Sequence, residues 1–343
     1  MRPQVDLIVV GAGVIGLSVA LAAQARGMSV TVVDRTGPAS GASAGNAGAF
    51  AFSDILPLAS PGILRKAPGW LLDPLGPLSI PLAYALRITP WMYRFWRASA
   101  PARVAQSTQA QTALMDLSKA ALTPFLDLSG TTGMLRRAGN LQVYEGKAEF
   151  TASLPGWQAR TDHGIAFDHL SAAEMAGLQP GLAARFTHGT FTPEWYSIAD
   201  PRLYTLALAD RFCAKGGSLQ VAEVAGLDPS DNGVTVRLKT GTSLTAGKVV
   251  LAAGAFSHLL ARGVGDKIPL ETERGYNTTL PTSAFDLRMQ VTFGGHGFVA
   301  SLLSTGVRIG GAVELGRTES CAKFQTGRRY AAPCTGLSAR PEP

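Results

Sequence analysis

Gly11-x-Gly13-x-x-Gly16 follows directly on the apolar run Leu7, Ile8, Val9, Val10, and together they have the makings of an anion site. Gly11 permits a tight turn out of a strand, Gly13 lets a pyrophosphate approach the backbone, and Gly16 allows close helix-to-strand packing. The helix begins at Val14 and Ile15, its free N–H groups aimed at the anion. Asp34 comes about 20 residues later, where a carboxylate takes the ribose hydroxyls of an adenine dinucleotide. Arg35 behind it raises a rival, because a cation there accepts the 2′-phosphate of NADP. The carboxylate itself opposes that phosphate by repulsion, and a second GxGxxG for a nicotinamide reductant is absent. An ordinary turn with a surface aspartate is the bland alternative; strand, glycines, helix, strand and acid in register argue against it.

The elements that must hold these groups can be read in order. Leu7 to Val10 suits a strand buried on both faces, as in a parallel sheet. Val14 to Arg26 reads as a helix stopped by Gly27, and Ser29 to Val33 as a β-branched strand. Thr36 to Gly48 is Gly, Ala, Ser and Asn, either a loop whose amides can meet a ligand closely or a flexible linker. Pro101 to Leu128 has apolar residues near helical spacing, Leu141 to Tyr144 is strand-like, and Ser171-x-x-Glu174 is a capping box. Asp200-Pro201 opens a helix that runs through Lys215 and is closed by Gly216-Gly217. Leu219 to Val224 and Val234 to Leu238 follow, with Ser230 to Gly233 as a hairpin turn, then a buried strand from Lys248 to Gly254. Leu270 to Leu280, Met289 to Leu303 and Val307 to Leu315 alternate with turns and predict an antiparallel sheet.

Composition narrows the classes. The 343 residues can form one large domain or two interleaved ones. Only 16% are charged, so much surface must be uncharged, hidden in an interface or laid against something apolar. The net charge is +7, and the last stretch contributes Arg317, Lys323, Arg328, Arg329 and Arg340 against Glu319 and Glu342. A nucleic-acid partner is not expected, while mild attraction for anionic substrates or membrane surfaces is. Six prolines between Pro57 and Pro81 oppose a long helix there, and Leu78 to Trp96 is apolar and aromatic but too interrupted by charge and proline to span a bilayer. That stretch suits a substrate-domain cap, a monotopic surface contact or a partner interface. Cys213, Cys321 and Cys334 form no CxxC pair, and with an opening strand that leaves no room for a signal peptide they predict a cytoplasmic protein, with a peripheral seat on the inner face of the plasma membrane left open. His163 and His169 each follow an aspartate, but no spacing makes a metal site.

Ser-Gly-Ala-Ser-Ala-Gly-Asn-Ala-Gly (Ser40 to Gly48), shortly after Asp34-Arg35, resembles the second flavin-contacting segment of the FAD-dependent D-amino acid oxidase superfamily, the bacterial D-amino acid dehydrogenase branch above all. The resemblance continues through Ala252-Ala253-Gly254, Arg274-Gly275-Tyr276, Gly297-Phe298-Val299 and Val307 to Leu315. It implies FAD as cofactor, with Ser43, Asn46, Ala47 and Gly48 at the flavin, Val224 on the adenine side and Ala253-Gly254 against the cofactor. It also implies an α/β fold. An FAD-binding Rossmann-like domain of the GR2 type, residues 1–52 and 195–268, is interleaved with an α+β substrate domain, residues 53–194 and 269–315, that contains a mostly antiparallel sheet. Past Gly316 the likeness stops on this reading: residues 316–343 form an atypical tail, disordered by composition, where the family closes over the flavin with a helix and a glycine-rich segment. His296 in Gly-Gly-His-Gly resembles that closing motif, but its position fits a strand of the substrate domain.

The implied chemistry is oxidation of the C–N bond of a D-amino acid or a related amine of the D-proline type. The α-hydrogen leaves as hydride to flavin N5, and water hydrolyses the imino acid; oxygen or a quinone and its electron-transfer chain then accepts the electrons. Such a reaction needs a cationic clamp on the carboxylate and a neutral amine held in position. Arg274 and Arg308 are the candidate clamps, because the arginine fork binds a carboxylate through two parallel hydrogen bonds, and Tyr276 is the candidate hydroxyl donor. An arginine on a strand is also an ordinary solvated or ion-paired residue. The non-catalytic alternative is a C-terminally truncated relative that cannot close the flavin site.

Overall fold

The structure is a computed structural model that describes residues 4–61 and 78–316. Most of the proline-rich stretch and the segment 317–343, with Cys321 and Cys334, lie outside the described residues. The chain opens with β1 (Val5–Val10), α1 (Val14–Gln24), β2 (Val30–Asp34), the short α2 (Ala42–Gly45), β3 (Ala49–Ala51) and β4 (Leu78–Ser79). Two long helices, α3 (Leu82–Ala98) and α4 (Pro101–Ser129), lead to β5 (Leu135–Arg136), β6 (Asn140–Glu145), α5 (Gly146–Asp162), β7 (Asp168–Ser171) and α6 (Ala172–Leu178). Then come β8 (Phe186–Thr192), β9 (Trp195–Ile198), α7 (Pro201–Ala214), β10 (Ser218–Val221), β11 (Val224–Ser230), β12 (Gly233–Leu238) and β13 (Ser243–Leu251). The last elements are α8 (Ser257–Gly263), β14 (Glu273–Leu280), β15 (Gln290–Phe293), β16 (Phe298–Leu303) and β17 (Gly306–Leu315).

Two compact units share these elements. The first takes Met1–Asn46, Leu122–Met134 and Asp200–Leu270. Its sheet runs β10-β2-β1-β13-β12-β11, parallel from β10 to β13 and antiparallel through β12 and β11. Leu7 to Val10 are all buried, as a strand covered on both faces requires. Ile8, Val10, Val33 and Val236 belong to one apolar cluster, while α1 and α7 bury Leu17, Leu21, Leu208 and Phe212. Asp200 caps α7 by accepting the Leu203 amide at 2.8 Å.

Two features depart from the sequence reading. Leu219 to Val224 is not one strand: β10 ends at Val221 on β2, and the hairpin strand starts at Val224 and continues to Ser230. Gly226, Asp228 and Pro229 hide that continuation from a propensity argument, and β11 tolerates Pro229 because it is an edge strand. Unit membership differs too: residues 122–134 cluster with the first unit, and 47–52 and 195–199 with the second, whereas the sequence reading places 53–194 in the substrate domain and 1–52 and 195–268 in the FAD-binding one. Within 122–134, Leu126 is buried, and Arg211 of α7 donates to the Leu128 carbonyl at 3.3 Å.

The second unit takes Ala47–Ala121, Leu135–Ala199 and Glu271–Pro343. Its main sheet runs β14-β17-β16-β15-β6-β8-β7, with β4 added beside β17. Pairing is antiparallel apart from β15 on β6 and β17 on β4. Val291, Phe293, Phe298, Ala300, Val307 and Ile309 fill one face, so their sequence neighbours must point to the other. A smaller sheet joins β3, β9 and β5. Met289 to Leu303 is interrupted by a 3₁₀ turn at Gly294–His296. His296 therefore sits on that turn rather than on a strand, its Nε2 2.9 Å from Glu145 Oε1. Pro90 is accommodated inside α3, which runs unbroken from Leu82 to Ala98.

The capping box forms as read. Glu174 N–H donates to Ser171 Oγ at 3.4 Å and Ser171 N–H to Glu174 Oε2 at 2.8 Å, which holds the Glu174 carboxyl below its ordinary pKa through the Ser171 amide and then the Ser171 hydroxyl. Ser171→Ala is expected to cost about 1 kcal/mol, read as a lowered urea midpoint at unchanged slope.

Candidate functional site

In the first unit the chain leaves no room for side chains at its glycine turn. Gly11 has φ +112°, and a Cβ there would lie 2.3 Å from the Ala252 carbonyl oxygen. A Cβ on Gly16 would lie 1.9 Å from the Gly11 oxygen, while one on Gly13 would meet only Ser43 Oγ, at 3.0 Å. The turn is pinned from both sides: Gly11 N–H donates to Val33 O and Ala252 N–H to Val10 O, each at 2.8 Å.

Val14 N–H donates to Ser43 Oγ at 2.9 Å. The amides of Ile15 and Gly16 have, by position in the first turn, no intrahelical carbonyl to receive them. Asn46 Nδ2 donates to Ser43 O at 2.9 Å, so Ser43 and Asn46 shape the loop around the helix start. Asp34 does more than its position predicts. Its Oδ1 accepts the Thr36 and Gly37 amides and the Thr36 hydroxyl, and its Oδ2 accepts the Ala12 amide at 2.8 Å. One lone pair on Oδ2 therefore stays available for a sugar hydroxyl.

Beside it, the Arg35 guanidinium lies 3.9 Å from the Phe256 ring centroid. Ala222 N–H donates to the Asp34 carbonyl just before Val224. Ala253 and Gly254 follow β13, Gly254 with φ +57°. All these residues stand at the carboxyl ends of β1, β2 and β13 or in loops at that edge, where open α/β sheets take ligands. A narrow turn, first-turn amides and a partly used carboxylate fit the diphosphate and ribose of a dinucleotide such as FAD.

In the second unit, Ala47 and Gly48 lie against the sheet. Gln290, 4% exposed, donates to Ala47 O and to Ser301 Oγ, both at 2.9 Å, and accepts from Trp195 Nε1. Gly48 O accepts the Ile198 amide at 2.7 Å. A cavity of about 220 Å³ is lined here by Ala47, Ala49, Trp195, Thr292, Val299 and Gly310.

The three substrate candidates do not come together. Along β14, Leu280 pairs with Val307 and Thr278 with Ile309, so Tyr276 and Arg274 share the apolar-core face. Thr279 pairs with Arg308, and Arg308 Nε donates to Thr279 Oγ1 at 3.4 Å, on the opposite face with Val299 and Gly310. Arg274 Nη1 lies 3.5 Å from Glu314 Oε1, and the Tyr276 hydroxyl donates to Glu314 Oε2 at 3.2 Å. The Glu314 side chain is 3% exposed, and a buried carboxylate requires such partners. Gln290, Trp195 and Glu314 were not singled out from sequence. A lone glutamine inside the apolar run Met289 to Phe293 was the available signal for the first. Among the described residues no cluster of His, Cys, Asp or Glu could hold a metal ion.

Gly16→Ala forces two backbone segments apart, so the purified variant should show a much lower flavin-to-protein absorbance ratio and a lower melting temperature than the parent. Glu314→Gln should cost about 2 kcal/mol in chemical denaturation, less than the full penalty of a broken buried pair because the Arg274 side chain is 24% exposed.

Residues 6–333 match the family described as DAO, FAD dependent oxidoreductase. The match reaches past Gly316 and takes in part of the segment that the sequence reading sets outside the family. The chain is similar to a D-amino-acid oxidase of Bradyrhizobium diazoefficiens, 31% identical over 320 residues, 92% of this chain and 76% of that one. It is also similar to a D-amino acid dehydrogenase of Rhizobium johnstonii, 29% identical over 90% of this chain and 76% of the relative. In fold it is similar to the L-proline dehydrogenase from P. horikoshii, with TM-score 0.68, 18% identity, 98% of this chain and 78% of that one. The chain belongs to the DAO family of FAD-dependent oxidoreductases, enzymes in which the bound flavin carries the redox step.

Proposed function

We propose that this chain oxidises the C–N bond of a D-amino acid, or of a related amine such as D-proline, to an imino acid that water hydrolyses to the 2-oxo acid. The observation that carries the reading is Arg308 on the same face of the second unit's sheet as Val299 and Gly310 of the uncharged cavity. It stands two residues before Gly310, roughly 7 Å along a strand. The names of the relatives support the substrate class.

FAD, when bound, supplies the acceptor for the two electrons and the α-hydrogen. In the chain, the Gly11–Gly16 turn and the α1 amides hold the diphosphate, Asp34 the ribose, and the loop from Ser43 to Gly48 the flavin end, with Arg35, Val224, Ala253 and Gly254 completing the cradle. Arg308 clamps the substrate carboxylate. Uncharged walls disfavour the ammonium form of the substrate, so the amine reaches the reaction neutral, with its lone pair ready to form the C=N bond as the α-hydrogen departs. Arg274 and Tyr276 serve the reading by anchoring Glu314 across β14 and β17. The electrons then pass to oxygen or to a quinone and its electron-transfer chain, in the cytoplasm or at the inner face of the plasma membrane. No helix among the described residues is long and apolar enough to cross a membrane.

The test is the visible spectrum of the purified chain with D-alanine or D-proline added without oxygen. Bleaching of the flavin bands is expected, and their return on adding air or a soluble quinone identifies the acceptor. A yellow protein that no D-amino acid bleaches would sink the substrate assignment; a colourless one would favour a family relative that lacks a closed flavin site. Arg308→Ala is expected to lower kcat/KM about a hundredfold, mostly through KM, while Glu314→Gln leaves KM near the parent value.

A further inference from the structure

Helix α3 carries two stripes of opposite exposure. Tyr84, Ile88, Trp91 and Phe95 follow i, i+4, i+7, i+11 on the covered side, where Ile88 is 2% exposed and the Tyr84 hydroxyl donates to Glu271 at 2.8 Å. The outer stripe, Leu86, Pro90, Tyr93 and Arg97, has the same spacing and points to solvent. A surface helix is expected to be polar there. Instead Leu86 is 89% exposed, Tyr93 55% and Trp96 52%, and the last two rings lie 5.8 Å apart.

All the charge on this side is positive. Arg87, Arg94 and Arg97 of the helix are exposed, as is Arg103 just beyond it, and no Asp or Glu occurs between Leu78 and Met115. Arginine can lay its stem along an apolar surface and keep its head among polar groups. Trp and Tyr favour the level of lipid headgroups, where one part of the ring is apolar and the other wet.

We propose that the outer face of α3 is a monotopic docking surface for an anionic lipid bilayer, with Leu86, Tyr93 and Trp96 entering the headgroup boundary and the arginines meeting lipid phosphates. Charge complementarity selects this occupant over a second copy of the chain. In a two-fold contact the same patch faces itself, which would set arginine against arginine with no acid on the helix to answer. The inference gives the peripheral seat of the proposed function a place on the molecule, and it rests on that reading only for its bearing on a membrane electron acceptor. Lipid binding itself is independent of which substrate is oxidised.

The test mixes the purified full chain with vesicles of equal parts phosphatidylglycerol and phosphatidylcholine, or of phosphatidylcholine alone, and sediments them. Partition onto the anionic vesicles, release by high salt and little binding to the neutral ones are expected. Arg87→Gln with Arg94→Gln should weaken partition about thirtyfold, and Leu86→Ser with Trp96→Ser should also lower it, both at unchanged circular dichroism and flavin content. The proposal is overturned if the folded parent ignores anionic vesicles at low salt, or if binding survives both double variants. It is also overturned if the parent forms a concentration-dependent dimer that those variants abolish. None of these outcomes depends on whether D-amino acids bleach the flavin.

Discussion

The closeness of three backbone segments at Gly11, Gly16 and Ala252 is the constraint on which the first unit depends. Where side chains are excluded from both sides, α1 starts immediately beyond the ends of β1 and β13, and its first amides are delivered to the sheet edge without an intervening layer. Asp34 then reinforces the arrangement by receiving amides from the turn and from its own loop. The acid is thus a brace for the turn and its own loop, and its loss would be felt in that loop before any nucleotide is considered.

The second unit follows a different logic. One face of its main sheet is a packed apolar cluster, and the other carries a short run of satisfied polar side chains. Gln290 is the centre of that run: both its donors and its acceptor are used, joining β15 to β16, to the Ala47 peptide and to Trp195. Buried polar groups with complete partnering favour one geometry over near alternatives, so the Ala47 peptide is held in one place against the sheet.

The most legible parts of the chain were those where one residue type has one physical reason to be present. The glycine turn, the strand ending at Asp34, the capping box at Ser171 and the Asp200-Pro201 helix start all belong to this kind, because each depends on neighbours in sequence. The flavin family was legible through motifs in order. Features set by distant partners escaped. The strand character of Ala225 to Pro229 comes from pairing with β12, the grouping of residues 122–134 with α7 comes from contacts such as Arg211 to Leu128, and the task of Gln290 exists only once Ala47 is beside it. Pattern alone also placed His296 on a strand, since nothing local distinguishes a 3₁₀ interruption from a continued run. Arg274 and Arg308 looked equivalent for the same reason, and their separation needed the register of β14 against β17.

That register contains an irregularity with a further effect. Between Asn277 and Tyr276 the partner strand advances from Gly310 to Ala312, so Gly311, with φ +154°, is a surplus residue. Such a bulge re-aims the side chains beyond it. By simple alternation Arg308 and Glu314 would project from the same side; the surplus glycine turns the later half over and delivers Glu314 to Arg274 and Tyr276. One backbone insertion thereby sorts opposite charges onto opposite surfaces of a single strand, leaving the Arg308 side without the fixed anion that plain alternation would have set beside it.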